Sequence, residues 1–293
     1  MQSTTRRPSP RSSRWPGPRS RLRVSAALPR RARLPDLLSS SNARLAAARR
    51  LTSRKHRRET GRFLAEGAQA VREALRAGAV LELFATAQAI QRYPQLTADA
   101  AEISERDAAT LSETVTPQGL VAVCRLEQPN LDELLAGNPR LLAVPVACAE
   151  PGNLGTIVRT ADAAGADAVI QVGGVDPYNG KAVRATAGSL FHLPIIDASA
   201  EQLLAGARRA GLTVLATSGA GGCGLDELIE AGVLAEPAAW LFGNEAHGLP
   251  ESLLAQADHT VRVPIYGKAE SLNLAAAVAL CLYASAFGQH RRH

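Results

Sequence analysis

The chain has little from which to build a disulfide framework or a metal centre. Its four cysteines, Cys124, Cys148, Cys223 and Cys281, lie at least 24 residues apart, with no CxxC pair and no nearby histidine pair at metal-ligand spacing. They read as reduced thiols in a core, and no metal is expected. Long apolar runs are missing too. The longest, Leu272 to Phe287, contains Asn273 and Ser285 and falls short of the ~20 residues that span a bilayer, so it reads as a buried helix. Pro8, Pro10, Pro16 and Pro18 interrupt the N-terminal region, which therefore lacks the apolar core of a secretory signal. A cytoplasmic protein with no membrane partner is expected. His192, His247 and His259 are isolated and receive no acid–base role, and no internal repeat is visible.

What is present is an ordinary globular composition: 293 residues, 46% hydrophobic and 20% charged, enough for one large domain or two of common size. The net charge of +6 is unevenly placed. Residues 1–34 carry ten arginines and no acid, residues 35–60 seven bases against two acids, and residues 61–293 a net −9. A grip on phosphates therefore starts in the first sixty residues. Residues 1–34 are rich in Pro, Ser and Arg and read as a disordered tail. Two readings of it stand: sequence added by an upstream start codon, or an arm that holds RNA phosphates. From Asn42 to Arg58 a helix-compatible segment carries Arg44, Arg49, Arg50, Arg54, Lys55, Arg57 and Arg58, a basic helix face anchored by Leu45 and Leu51.

The pattern from residue 35 to 126 alternates short strands and helices, as in a small α/β domain. Residues 127–140, with Pro129, Gly137, Asn138 and Pro139, read as a linker. Residues 141–293 alternate more regularly, and apolar strands such as LLAVPVAC and LTVLAT point to a parallel sheet covered on both faces. The fold class is α/β, with ligands expected at the C-terminal ends of the strands.

The stretch Gly219 to Gly224 satisfies GxGxxG, but it follows the fourth strand of its domain, not the first. The end of the next strand is Gly243-Asn244-Glu245, not a lone ribose-binding acid, so the dinucleotide fingerprint is poorly met. Three other segments at strand ends hold unusual polar content. Asn153-Leu154-Gly155-Thr156-Ile157-Val158-Arg159 opens a helix with Asn153 expected at the N-cap. Phe242 to Pro250 is a loop of free backbone donors beside a carboxylate, and Val263 to Gly267 leads through Glu270-Ser271-Leu272-Asn273 into a helix spanning Ser271–Phe287. Plain caps and solvated charges explain each segment taken singly. Their convergence on one sheet edge weakens that explanation.

In order and spacing, EPGNLGTIVRTADAAGADAV, WLFGNEAHGLP and VPIYGKAESLNLAAAVAL resemble the three motifs of the SpoU (TrmH) family of RNA ribose 2′-O-methyltransferases, over about residues 141–289. Residues 40–126, with FLAEGAQAVREAL and TPQGLVAV, resemble the substrate-binding domain, similar to ribosomal protein L30e, of the rRNA-modifying members, thiostrepton-resistance methylases included. Gly180 stands where Pro is common in the family, and Ile265 where Met is common.

The resemblance implies a SPOUT fold with a C-terminal trefoil knot, a homodimer packed through the knot domain, and S-adenosylmethionine bound by the loops after three strands. Carried over by motif, the cofactor-binding residues are Thr217, Ser218 and Gly219, then Leu241, Phe242, Gly243 and Asn244, then Ile265, Ser271, Leu272 and Leu274. The catalytic group is Arg159, Asn153, Glu245 and Asn273. Arg159 would stabilise the developing alkoxide of the ribose and fix its phosphate, since guanidinium stays protonated. Asn153 would orient Arg159 or the ribose, with Glu245 and Asn273 opposite. RNA is the expected partner, rRNA favoured over tRNA, and Lys181 and Arg184 join the basic segment as RNA contacts near the site. A tRNA 2′-O-methyltransferase, a non-catalytic RNA-binding protein of ribosome assembly and a nicotinamide-dependent oxidoreductase built on Gly219–Gly224 are the alternatives.

Overall fold

Two sheets organise the chain. In the computed structural model the described residues are 37–220 and 222–291; the arginine-rich segment 1–34, read above as a disordered tail, lies outside them. The first sheet follows two short helices, α1 (Ala43–Arg50) and α2 (Arg54–Thr60), and is built from β1 (Arg62–Glu66), β2 (Val80–Ala85), β3 (Ala101–Glu102) and β4 (Leu120–Arg125) in the order β1-β4-β2-β3. Helices α3 (Ala68–Arg76), α4 (Ala87–Arg92) and α5 (Glu105–Leu111) connect the strands.

The single basic helix expected over Asn42–Arg58 is two helices. Leu51 is buried at the end of α1, and Thr52 and Ser53 turn the chain before α2 begins, so the seven bases do not share one face. The expected linker also contains structure. Asn130 accepts from the Asp132 and Glu133 amides and starts α6 (Leu131–Ala136), and Leu134 and Leu135 are buried against the second core. The Pro and Gly content that suggested a linker marks only the ends of this helix.

The second sheet is wholly parallel, as the two-sided apolar strands foretold. Its strands are β5 (Leu141–Pro145), β6 (Ala168–Gln171), β7 (Ile195–Asp197), β8 (Thr213–Thr217), β9 (Cys223–Gly224), β10 (Ala238–Phe242) and β11 (His259–Arg262), ordered β7-β6-β5-β10-β8-β11-β9. The intervening helices are α7 (Pro151–Ala163), α8 (Gly180–Ala185), α9 (Ala200–Arg209), α10 (Leu225–Glu230) and α11 (Glu251–Leu254), and the chain ends in α12 (Leu274–Arg291). The order matters for function, because β10 is inserted between β5 and β8 and brings three separate loops to one edge.

Helix α7 buries Leu154, Ile157, Val158 and Ala161, and its Gly155 permits close packing on α8. A Cβ at Gly155 would lie 2.5 Å from both the Ala182 carbonyl oxygen and the Ala185 Cβ. Helix α12 seals the other side of the core, where the fully buried Trp240 donates Nε1–H to the Ser285 hydroxyl over 2.8 Å.

The described residues of both sheets fall in one compact unit. Their seam is built from charge and aromatic pairs. Arg57 of α2 meets Asp176 at 2.7 Å, Arg184 of α8 meets Glu66 at 3.2 Å, and the Phe63 ring lies 4.9 Å from Tyr178 and 5.9 Å from Phe191, centroid to centroid. His192 bridges Asp162 of α7 and Glu73 of α3, at 2.7 and 3.5 Å.

Candidate active site

The loops after β5, β8, β10 and β11 meet at the C-terminal edge of the parallel sheet. Glu245, three residues past β10, is the hub of two of them. Its carboxylate accepts from Asn153 Nδ2 at 2.9 Å, from the Ala149 amide at 3.2 Å and the Glu150 amide at 3.4 Å, and from the Cys148 thiol at 3.5 Å. Next to it, Asn244 donates Nδ2–H to the Ala147 carbonyl at 2.8 Å, and its Oδ1 accepts from the Ala246 and His247 amides. Ala147 takes a φ of +50°, which turns its carbonyl toward this loop. The two residues therefore clamp the start of α7 to the loop after β10.

The electrostatics follow from that geometry. Partial burial opposes the charge on Glu245, yet the bonds from Asn153, from its own main chain and from Ala149 outweigh it and hold the carboxyl below the usual glutamate range. The Cys148 thiol moves the other way, pushed up to about 12 by its own burial and by the carboxylate of Glu245. Cys148 therefore stays a thiol and donates a hydrogen bond to the clamp.

Gly243 cannot carry a side chain. Its Cβ would overlap the Gly248 carbonyl carbon and the Leu249 nitrogen, because the loop folds back through paired Asn244 and Gly248 backbone bonds. On the neighbouring strand Thr217 donates its hydroxyl to the Leu241 carbonyl at 3.0 Å, and the Ser218 amide donates to the Val261 carbonyl at 2.9 Å. Phe242 is buried beneath this edge, stacked at 6.1 Å on Trp240, while Gly219 faces open space.

The loop after β11 is different in kind. From Val263 to Leu272 no hydrogen bond joins the chain to another described residue, and Ile265, Tyr266, Ser271 and Leu272 are exposed. A run of unbonded main chain next to Gly219 and the Gly243 turn is what a ligand held mostly by backbone groups needs. S-adenosylmethionine fits this edge on chemistry as well, since unbonded main-chain donors and acceptors suit its adenine and amino-acid groups.

Not every expected role survives. Asn153 is not the N-cap of α7; Glu150 holds that position and Pro151 opens the helix, so Asn153 sits in the first turn with its side chain free to reach Glu245. It does not orient Arg159, because six residues along a helix rotate the side chain by roughly 240°. Arg159 is exposed, and its guanidinium has no hydrogen bond or ion pair to a described residue. Asn273 is the cap of α12, its Oδ1 accepting from the Ala275 amide at 2.9 Å, so the helix begins at Leu274 and not at Ser271. The cap uses one lone pair of the Asn273 oxygen, and Leu274 is half-buried in the helix it opens.

Among the proposed RNA contacts, Arg57 is corrected outright. It is buried, bonded to Asp176 and to the Leu51 and Thr52 carbonyls, and cannot reach a phosphate. Arg49 is engaged with Asp107 at 2.6 Å and with the Ser40 carbonyl and Thr110, and Arg184 with the buried Glu66. Arg44 pairs with Glu82 over the Phe84 ring, and Lys181 with Glu150 at 2.9 Å beside the start of α7. Arg50, Arg54, Lys55 and Arg58 stay exposed. Sequence reasoning missed Cys148 and Glu150 in the clamp. Glu150 before Pro151 was a readable helix-start sign, whereas nothing in the spacing distinguishes Cys148.

A parallel sheet with the clamp and an open backbone loop at its C-terminal edge defines an α/β protein with a ligand site where such sheets bind their ligands. Residues 140–283 match the SpoU rRNA Methylase family, and residues 42–122 match the MRM3-like substrate binding domain. The 23S rRNA (guanosine(2553)-2′-O)-methyltransferase RlmP of Bacillus subtilis is 35% identical over 255 residues, 85% of this chain and 98% of that one. Among solved structures, the AdoMet-bound rRNA methyltransferase of Sinorhizobium meliloti superposes with a TM-score of 0.75 at 34% identity, covering 85% of this chain and 96% of that one. The SpoU methyltransferase AviRb of Streptomyces viridochromogenes with AdoMet gives 0.73 at 30% identity, covering 86% and 100%. The chain belongs to the SpoU rRNA methylase family, whose members use S-adenosylmethionine. The glycine cluster is accordingly not a dinucleotide fingerprint: Cys223 and Gly224 form the edge strand β9 paired with β11, and Gly222 is wedged against the Thr260 carbonyl.

Proposed function

We propose that this protein transfers a methyl group from S-adenosylmethionine to a ribose 2′-hydroxyl of 23S rRNA. The observation that carries the reading is the Glu245 clamp, which fixes the first motif against the second on the helix that bears an unpaired Arg159. The substrate follows from the relatives: the Bacillus subtilis and Streptomyces viridochromogenes proteins are both named as 23S rRNA 2′-O-methyltransferases.

Bound at this edge, the cofactor supplies a sulfonium methyl group. The chain's own groups do the positioning. Thr217, Ser218 and Gly219, the turn from Leu241 to Asn244, and the open main chain of Ile265, Ser271 and Leu272 would hold it, with Leu274 behind. Glu245 and Asn153 keep the turn rigid. Arg159, which pairs with no described residue, would face the 2′-hydroxyl and its phosphate and stabilise the oxyanion as the proton leaves.

A homodimer through the knot domain belongs to the same reading. Exposed Leu280, Tyr283 and Phe287 line α12, and Ile265, Tyr266 and Leu272 continue the apolar surface onto the open loop. A second copy there would cover that loop, and Arg159 would serve its partner's cofactor. The trefoil knot, formed as the chain from β10 to α12 passes through the loop after β8, is part of this proposal. So is a cytoplasmic location, where rRNA is modified.

The test is incubation with labelled S-adenosylmethionine and separate pools of unmodified 23S rRNA and tRNA, followed by mapping of the 2′-O-methyl group. Label in 23S rRNA is the expected outcome. Label in tRNA alone overturns the substrate, and failure to bind the cofactor overturns the enzyme and returns the chain to the RNA-binding proteins.

A further inference from the structure

Beyond the clamp, a cavity of about 240 Å³ opens at the seam between the two sheets. At ~30 Å³ per water molecule this is far more than a packing defect. Its walls come from α2, from residues 126–129 after β4, from the segment 176–178 after β6, and from the end of β7. Leu126, Ile195 and the ring of Tyr178 give it an apolar body.

The charges around it are not all used internally. Arg57 and Asp176 neutralise each other, both nearly buried, and Arg58 faces Asp197 at 3.9 Å across the rim. The exposed Arg54 has no hydrogen bond or ion pair to a described residue, and neither does the carboxylate of Glu127. Among the described residues, one unpaired cation and one unpaired, acceptor-only group therefore border the same apolar slot.

The position is equally specific. Asp197 ends β7 and Asp176 follows β6, so the cavity lies on the sheet edge that carries the Glu245 clamp, two to three strands from β5 and β10, or ~10–15 Å. A neighbouring nucleotide of one RNA strand reaches across that span.

We infer that this cavity receives one unpaired nucleotide of the RNA substrate, its phosphate on Arg54 and Arg58 and its base against Tyr178 and Ile195. Carboxylates accept and do not donate, so Glu127, with its two oxygens, favours a base edge with adjacent donors, which guanine has in N1–H and the 2-amino group. The inference rests on the RNA-methyltransferase reading for the identity of the strand, but it is tested without methyl transfer.

The experiment uses the full chain with S-adenosylmethionine and two fluorescent RNA hexamers, UUGUUU and UUUUUU, titrated at one fixed salt concentration. The guanine-containing hexamer is expected to bind about tenfold more tightly, the size of one good base-edge contact. Gln128, exposed at the mouth, is replaced in Gln128→Trp to fill the slot; Glu127→Gln removes the charge and turns one of the two acceptor oxygens into a donor, and covers the case in which the first variant fails to fold. Either change is expected to erase the guanine preference and leave cofactor affinity unaltered. Equal binding of the two hexamers by the unmodified chain, or a preference that survives both variants, overturns the pocket. If the pocket fails while cofactor is bound and 23S rRNA is methylated, the enzyme reading stands alone. If the guanine preference is present and no RNA is methylated, the pocket stands and the enzyme reading falls.

Discussion

Asn153 donates to Glu245 over 2.9 Å across 92 positions of sequence, and that bond joins the first turn of α7 to the loop after β10. It makes the loop that precedes α7 and the turn after β10 a single rigid edge. The asparagine is held by the glutamate, and the guanidinium of Arg159, further along the same helix, has no hydrogen bond or ion pair to a described residue.

The clamp has a definite pH signature. The folded carboxyl of Glu245 lies below its ordinary value of 4.5, so its contribution is complete above that value and is lost as pH falls through the folded one. Cofactor affinity is therefore expected to stay level from pH 7 to about 5 and to drop in more acid solution, by calorimetric titration. Glu245→Gln keeps the shape and removes the charge. It is expected to weaken binding about three- to tenfold at pH 7 and to abolish the acid dependence; an acid limb that persists in this variant assigns the effect to another group.

Arg159→Ala tests the chemistry itself. Loss of one group that stabilises developing charge costs ~10²–10³ in rate, and the loss is expected in single-turnover methyl transfer while cofactor affinity holds. Arg159→Lys is not expected to rescue, because an ammonium cannot contact oxyanion and phosphate with the same fork of donors. Transfer within threefold of the unmodified rate in either variant would remove Arg159 from the mechanism.

The parallel sheet and the three motifs were legible because they are local: apolar strands buried on both faces, and short polar segments fixed at their ends. Partner choice was not. Nothing in the basic segment announces that Arg57 turns inward to Asp176, 119 positions away, while Arg54 remains outside. The same limit applies to Asn153, whose partner is 92 positions distant, and to Asn273, whose carboxamide caps a helix starting three residues later than the apolar pattern suggests. The helix break at Leu51 was hidden by its own cause, since a buried leucine also suits a continuous helix.

His192 makes the seam sensitive to pH in the opposite direction from the clamp. Burial favours its neutral form, but the bonds and charges of Asp162 and Glu73 outweigh it, so its folded value is raised above 6.5. The stabilisation is present in full below pH 6.5 and is lost as pH rises through the folded value. Thermal unfolding scans are expected to show a midpoint that declines over that window. In His192→Gln the decline should vanish; an unchanged slope places the titrating group elsewhere.

Arg57 and Arg54, three residues apart, give contrasting expectations that separate structure from RNA contact. Removing one partner of a buried pair strands the other charge, so Arg57→Leu and Asp176→Leu should each cost ~3–5 kcal/mol in denaturant unfolding. The double variant should cost less than the two together, because no charge is left unpaired. RNA binding reads the other side. Arg54→Ala is expected to lower the slope of log affinity against log salt by about one, while the Arg57→Leu, Asp176→Leu double variant leaves that slope unchanged. A slope altered by the double variant and untouched by Arg54→Ala would reverse the assignment and return Arg57 to the phosphate-binding surface.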